Sequence, residues 1–255
     1  MTARLPNIRK LFIPDPGYII CDTDLDRADL QVVVWEANDD DLKSKLREGA
    51  DIHLENAKDI FGERAAKEKR PLAKAGVHAT NYYASPRTLA RALGITIKEA
   101  EYFQSRWFAA HPGISDWHDS VEASLRASRS VRNPFGFRRY YFDRIDAVLP
   151  EALAWIPQST VAIVTNQGIK NLYHNVPAVD ILLQVHDSVV WQIKKALFNF
   201  RLKEIYQALH ITIPYPDPLT IPVGLKVSES SWGECKEMDW KAVVEGGEGL
   251  RATNI

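Results

Sequence analysis

Residues 18–31 read YIICDTDLDRADLQ. Tyr18, Ile19, Ile20 and Cys21 are what a buried strand is made of, yet the run passes straight into acid at Asp22, Asp24, Asp26 and Asp29. A strand over 18–23 is expected, with Asp26 capping a helix from Arg27 through about Ala37. Asp29, three residues after Asp26, adds the spacing of a capping box. That reading employs Asp26 and leaves Asp22 as solvent-facing or structural, but it gives Asp24 no task. Turn aspartates often serve only their own backbone, and a metal site is the alternative.

The rest of the chain narrows the choice. It has 255 residues, 45% hydrophobic and 25% charged, with a formal net charge of −1. These are the proportions of a soluble globular protein, with length for one large domain or two lobes. Such a charge excludes a protein held to nucleic acid by bulk charge alone, though not a local basic channel. Cys21 and Cys235 are the only cysteines, which leaves no disulfide framework and suits a reducing cytoplasm. The start, MTARLPNIRKLF, lacks the apolar stretch of a signal sequence, and no uninterrupted apolar run of membrane length follows; no membrane partner is expected.

From Asp39 to about His118 the pattern is helical, broken at Gly49, Gly62, Ser85-Pro86, Gly94 and Pro112-Gly113. A further helix is predicted over 114–128, then a hairpin over 131–142 (VRNPFGFRRYYF) turning at Pro-Phe-Gly. A long helix over about 150–174 contains Pro157 as a point of kinking. Residues 179–193, VDILLQVHDSVVWQI, alternate around HDS as a tight β-hairpin does. A helix over 195–209 and a strand near 221–227 complete an α+β frame, strands at both ends and a helical block inserted between.

If the strand bearing Asp24 neighbours the hairpin bearing Asp187, two carboxylates from distant sequence meet at one sheet edge. Mg²⁺ takes one or two protein carboxylates plus substrate phosphates, and two such ions roughly 3.5–4 Å apart serve phosphoryl transfer. A third segment, RPLAKAGVHATNY at 70–82, places Arg70, Lys74, His78 and Tyr82 at four-residue intervals, one oblique stripe of a helix. Two cations followed by two rings suit a ligand with a polyphosphate at one end and a base at the other. The blander reading is a solvated basic edge beside core aromatics. His53, in DIHLENA, reads more readily as a surface or capping histidine.

Together these segments resemble family A DNA polymerases, the bacterial DNA polymerase I family, and especially its bacteriophage members. DLDRADLQ (24–31) is similar to that family's motif A, DYSQIELR. RPLAKAGVHATNYY (70–83) resembles motif B on the O helix, and QVHDS (184–188) resembles motif C, QVHDE. REGADIHLENAKDIFG (47–62), PFGFRRYYF and IPQST (156–160) have counterparts in the same family. The motifs come in the family's order and span nearly the whole chain.

The resemblance implies a palm, an antiparallel sheet with helices, over 1–37 and 131–255. An inserted all-helical fingers lobe would cover 38–130, with the O helix at 64–83. It implies no thumb and no exonuclease domain. Asp24, Asp187 and the Leu25 carbonyl would hold two Mg²⁺ ions, with Mn²⁺ as a substitute. Arg70, Lys74 and His53 would contact the incoming dNTP. Tyr82 would stack near the templating base or sugar, and Asp29 would sit beneath the sugar, where the family has Glu. Gln158 and His186 would touch the nascent pair and primer terminus, and Arg138 and Arg139 the DNA, with Arg87 and Arg91 as further contacts. The partners implied are primer-template DNA, dNTPs and a separate polypeptide supplying a thumb, with or without a 3′–5′ exonuclease.

The chain departs from the family at several points. Ser188 stands for the second acid of motif C, and His78 for the Phe or Tyr that governs selection at the sugar's 3′ carbon. Ala154 and Pro150 replace polar and basic residues. A DNA polymerase catalytic subunit is thus the first hypothesis. A degenerate copy that binds primer-template or a replication partner without turnover is the second, and a two-metal nuclease the third.

Overall fold

The computed structural model describes residues 7–240. After a 3₁₀ turn (Ile8–Leu11) come β1 (Tyr18–Leu25), α1 (Ala28–Glu36), α2 (Asp40–Arg47), α3 (Ile52–Phe61), α4 (Ala66–Asn81), α5 (Pro86–Leu93), α6 (Ile97–Ala110) and α7 (Pro112–Ser128). The hairpin β2 (Ser130–Arg132) and β3 (Arg138–Tyr140) leads into α8 (Ile145–Asn175). Then follow β4 (Val179–Val185), β5 (Ser188–Lys194), α9 (Lys195–Leu209), β6 (Thr212–Ile213), β7 (Leu219–Thr220) and β8 (Val223–Ser228). A second 3₁₀ turn (Trp232–Glu234) precedes β9 (Lys236–Met238). The fold is helix-rich α+β, as the pattern of the sequence predicts.

Two compact units divide the chain, one from Met1–Ala28 with Val161–Ile255, the other from Asp29–Thr160. The first holds a five-stranded sheet in the order β4-β5-β1-β8-β9, every neighbouring pair antiparallel. β1 is central, and its side chains alternate between two faces. Thr23 and Leu25 meet Val189 and Val223 of the neighbouring strands and Val164, Gly168 and Leu209 of the helices. Ile20 lies on the other face with Val190 and Trp232, and Asp22 and Asp24 share that face.

The second unit is built on helices whose ends are written into the sequence. Asp39, Asp51, Ser85 and Thr96 accept from backbone N–H groups at the starts of α2, α3, α5 and α6. Thr96 forms a full capping box with Glu99. Gly94 ends α5 in the left-handed conformation, open to glycine at no steric cost. One core joins Val33 of α1, Ile114, Trp117, Val121 and Leu125 of α7, and Leu149, Leu153 and Ile156 of α8.

Three expectations need correction. β1 does not stop at 23: it pairs with β5 through Asp24 and with β8 through Leu25, so two of the acids belong to the strand itself. α1 begins at Ala28 because Arg27 lies in the left-handed region, φ 50°, and the Asp26 carboxylate takes the Arg27 guanidinium at 2.8–2.9 Å. α8 starts at Ile145 and runs through both Pro150 and Pro157. By length and composition α8 could also cross a membrane, but Leu149, Leu153, Ile156, Val164 and Leu172 are buried against the protein, as in a core helix. The short strands β6, β7 and β9 have no periodicity long enough to read.

α4 crosses α6 at Gly76, where an added Cβ would lie 2.4 Å from the Phe103 ring. Gly→Ala inside a helix ordinarily gains about 1 kcal/mol. Here the buried ring has no room to yield, so Gly76→Ala should instead destabilise by about 1–3 kcal/mol, read as a lowered Tm.

Candidate active site

The antiparallel pairing of β1 and β5 places Asp24 opposite Ser188, the residue after Asp187. The Leu25 N–H donates to the Asp187 carbonyl at 3.4 Å, fastening the β4–β5 turn to the end of β1. On the other side Asp24 faces Gly224, which has no side chain to cover it. Both carboxylates are half-buried, and among the described residues neither takes a hydrogen bond or an ion pair. Burial pushes the Asp24 carboxyl above its ordinary value, and the charges of Asp187 and Asp22 push it further against the pull of Lys226. Like charges held together, partly desolvated and without internal donors, fit a hard divalent cation.

Asp22 is different. It is buried, not solvent-facing (7% exposed). The Ser188 hydroxyl donates to its Oδ1 at 2.5 Å and the Trp232 indole N–H to its Oδ2 at 2.7 Å. The period of two places Asp22 and Asp24 on one face, but Trp232 lies 210 residues away and no local spacing could reveal that bond.

In the other unit α4 carries the basic and aromatic stripe. Lys74 and His78 are exposed, and the His78 and Tyr82 rings meet edge to face, centroids 4.6 Å apart. Arg70 Nε donates to Asp51 Oδ2 at 2.7 Å, while the other oxygen of Asp51 caps α3. His53, the second residue of α3, is buried (5% exposed) rather than at the surface. Burial would raise the Asp51 carboxyl, but the bonds from Arg70 and the Leu54 N–H, with a smaller pull from His53, lower it. The Tyr82 hydroxyl donates to Asp29 Oδ2 at 3.0 Å. Burial, the Asp29 charge and that bond all raise the Tyr82 pKa, so the phenol stays a donor.

Gln158 is exposed on α8. His186, also exposed, holds the β4–β5 turn in the left-handed region, φ 56°. Arg139 is ion-paired with Glu151 and lies over the Tyr141 ring at 5.0 Å. Arg138 donates to the Tyr140 hydroxyl at 3.1 Å and lies over that ring at 5.7 Å, and among the described residues it has no ion pair. One further group has metal-binding chemistry: Asp39, Asp41 and His111, with donor atoms within 4.8 Å of one another. Its members are committed elsewhere, Asp39 to the α2 cap and to His111 Nδ1 at 3.0 Å, Asp41 to Lys45 at 2.8 Å. It is a clamp on the start of α2.

The family model for DNA polymerase family A matches residues 2–234, nearly the whole chain. The chain belongs to DNA polymerase family A. The thermostable DNA polymerase I of Thermus filiformis is 30% identical over 242 residues, 90% of this chain but 29% of that protein. The DNA polymerase of Mycobacterium phage D29 is 26% identical over 91% of this chain and 38% of its own length. The chain thus spans about a third of such relatives. Its fold matches the POL domain of Pol1 from M. smegmatis, solved in complex with DNA primer-template and dNTP. The TM-score is 0.79 at 21% identity, over 89% of this chain and 42% of that one.

The raised Asp24 carboxyl carries a stability consequence. An acid whose pKa is higher folded than unfolded opposes folding once pH passes its unfolded value, 3.8. Asp24→Asn should therefore raise the Tm of metal-free protein. Its gain over the parent should be absent in acid, grow as pH rises above 3.8 and level off once the folded group has ionised. An equal gain at every pH would mean that the Asp24 charge is not the cause.

Proposed function

We propose that this family A chain transfers deoxynucleotides, under the direction of a template, onto the 3′-hydroxyl of a primer. The observation that carries the reading is the meeting of Asp24 and Asp187 at one end of the sheet, neither carboxylate engaged within the described chain. In this reading residues 1–37 and 131–255 act as palm and 38–130 as fingers; the packing unit Asp29–Thr160 is wider than the fingers because its core takes in α1 and the start of α8.

Asp24, Asp187 and the Leu25 carbonyl would hold the divalent cations, Mg²⁺ or Mn²⁺ in its place. When bound, these neutralise charge on the attacking and leaving oxygens. The chain's own part is positioning and electrostatics. Lys74 offers a point charge to the triphosphate. Arg70, its Nε held by Asp51, presents the far side of its fork. His53, two residues after Asp51, would join them at the triphosphate, and His78 and Tyr82 present ring edges and faces to the nucleoside. The Tyr82–Asp29 bond fixes a carboxylate under the sugar, where a 2′-hydroxyl would meet it. Gln158 and His186 would contact the nascent pair and primer terminus, and Arg138 the backbone phosphates. The primer hydroxyl attacks the α-phosphate and pyrophosphate leaves. With a net charge of −1 the chain has no broad basic field. Firm hold on primer-template would then draw on a companion polypeptide with a thumb, and a 3′–5′ exonuclease would come from the same source. The cytoplasm is where this work belongs.

Magnesium-dependent primer extension is the test. Asp24→Ala or Asp187→Ala should lower extension by a factor on the order of 10³ or more, with primer-template affinity little changed. Retained extension in either variant would remove the site, and degradation of the primer in place of growth would mark a nuclease.

The stripe on α4 makes a separate demand. Lys74→Ala should cost about 2–5 kcal/mol in kcat/KM for dNTP and leave DNA binding nearly untouched. Weakened DNA binding with normal dNTP kinetics would make the stripe a DNA-tracking edge.

A further inference from the structure

Asp22 lies on the face of β1 that carries Asp24, yet its surroundings are those of a supporting group. Both oxygens accept from neutral donors, Ser188 Oγ and Trp232 Nε1. Trp232 is itself held from several sides. The Arg9 guanidinium lies over its ring at 4.4 Å, Phe12 meets it edge to face with centroids 5.7 Å apart, and its backbone N–H donates to the Phe12 carbonyl at 2.9 Å. Lys226 stands opposite Asp22 in β8 but forms no ion pair with it among the described residues. The Asp22 carboxylate is therefore fixed in place by two neutral donors and not by an ion pair.

The Ser188 bond is the informative one. Ser188 is the first residue of β5, directly after Asp187 and directly across from Asp24. The turn before it contains His186 at φ 56°, a conformation that costs energy for a residue with a side chain and persists only where its surroundings hold it. Ser188 fastens the outgoing side of that turn to Asp22, while the Leu25 N–H fastens Asp187 through its carbonyl. Ser188 is also where the resembled motif has its second acid. The carboxylate absent from β5 thus has a counterpart one strand away, reached through the serine that replaced it.

We propose that Asp22 is a positioning residue of the cation site. Through Ser188 it holds the turn that presents Asp187, and it supplies the third negative charge behind the Asp24–Asp187 pair. This inference rests on the reading of Asp24 and Asp187 as cation ligands. In this role Asp22 orients the ligands and is not one itself: each of its oxygens is already fixed by a hydrogen bond from the protein. Groups of this kind, which orient metal ligands without binding the metal, typically alter metal affinity 10- to 100-fold when replaced.

The experiment uses the full chain without DNA and Mn²⁺ alone as the probe, with affinity read by titration and stability as Tm with and without the ion. Asp22→Asn keeps the size of the side chain, an acceptor for Trp232 and a donor for Ser188, and removes the charge. Its Mn²⁺ affinity should fall roughly tenfold while the metal-free Tm holds or rises, because one of three neighbouring acids is gone. Adding Ser188→Glu to Asp22→Asn moves the acid across the strand pair and should bring the affinity back to within about threefold of the parent, a recovery that an anchor for Trp232 alone would not give. Unchanged Mn²⁺ affinity in Asp22→Asn, or no recovery in the double variant, overturns the proposal. Should Asp22→Asn fail to fold, Ser188→Ala leaves the Trp232 bond in place and carries the same expectation of weakened binding, with unchanged affinity again decisive against it. Asp24→Ala separates the two levels: if it binds Mn²⁺ like the parent, the cation site itself is wrong. If it loses the ion while Asp22→Asn does not, only the role of Asp22 falls.

Discussion

β1 is hydrogen-bonded along both edges, to β5 on one side and β8 on the other, and that double pairing decides where each of its side chains goes. A slip of one residue would turn Thr23 and Leu25 away from the helices and drive Asp22 and Asp24 into the apolar layer. The register is held from the apolar side. Thr23 Oγ1 donates to the Val189 carbonyl at 3.0 Å and accepts from the Trp191 indole at 3.3 Å, and Cys21, Trp191 and Ile193 are fully buried. The acids are thus placed by residues that never touch them, and the same pairing brings Asp187 to Asp24.

α4 follows the same logic with a different period. Ala73, Gly76, Val77 and Thr80 form its buried face, and the close approach of Phe103 to Gly76 leaves the helix little freedom to rotate. Arg70, Lys74, His78 and Tyr82 are then left on another face, the first and last of them held by Asp51 and Asp29. The two carboxylates that orient the stripe come from the start of α3 and from α1. In both units the candidate side chains are secured by a packed opposite face.

Much of this was legible in the sequence because it rests on short-range rules. Helix ends followed Asp, Ser, Thr and Gly, and the HDS hairpin and α9 followed clean alternation and clean helical spacing. The Asp24–Asp187 meeting needed only the guess that two strands were neighbours. What escaped depended on partners far away in the chain. β1 outlasts its apolar run because β5 and β8 pair with it on both sides, and such pairing overrides the composition of a strand's end. His53 looked like a surface residue because one helical turn does not reveal which helix will cover it. Asp22 looked idle because its donors come from residues 188 and 232. α8 passed through two prolines against local propensity, with Leu149, Leu153 and Ile156 buried in the core beside them.

The three acids of the sheet also show how differently two aspartates on one strand face can be held. A carboxylate whose oxygens accept from a hydroxyl and an indole is held in one orientation, and the protein loses two good hydrogen bonds if it turns away. A half-buried carboxylate without donors is held in readiness at a cost, which appears as the raised pKa of Asp24. Among the described residues the donors are concentrated on Asp22, the acid farther from the end of the strand, and none reaches Asp24 or, in the adjoining turn, Asp187. That distribution keeps the tip hungry for positive charge while the strand behind it stays fixed.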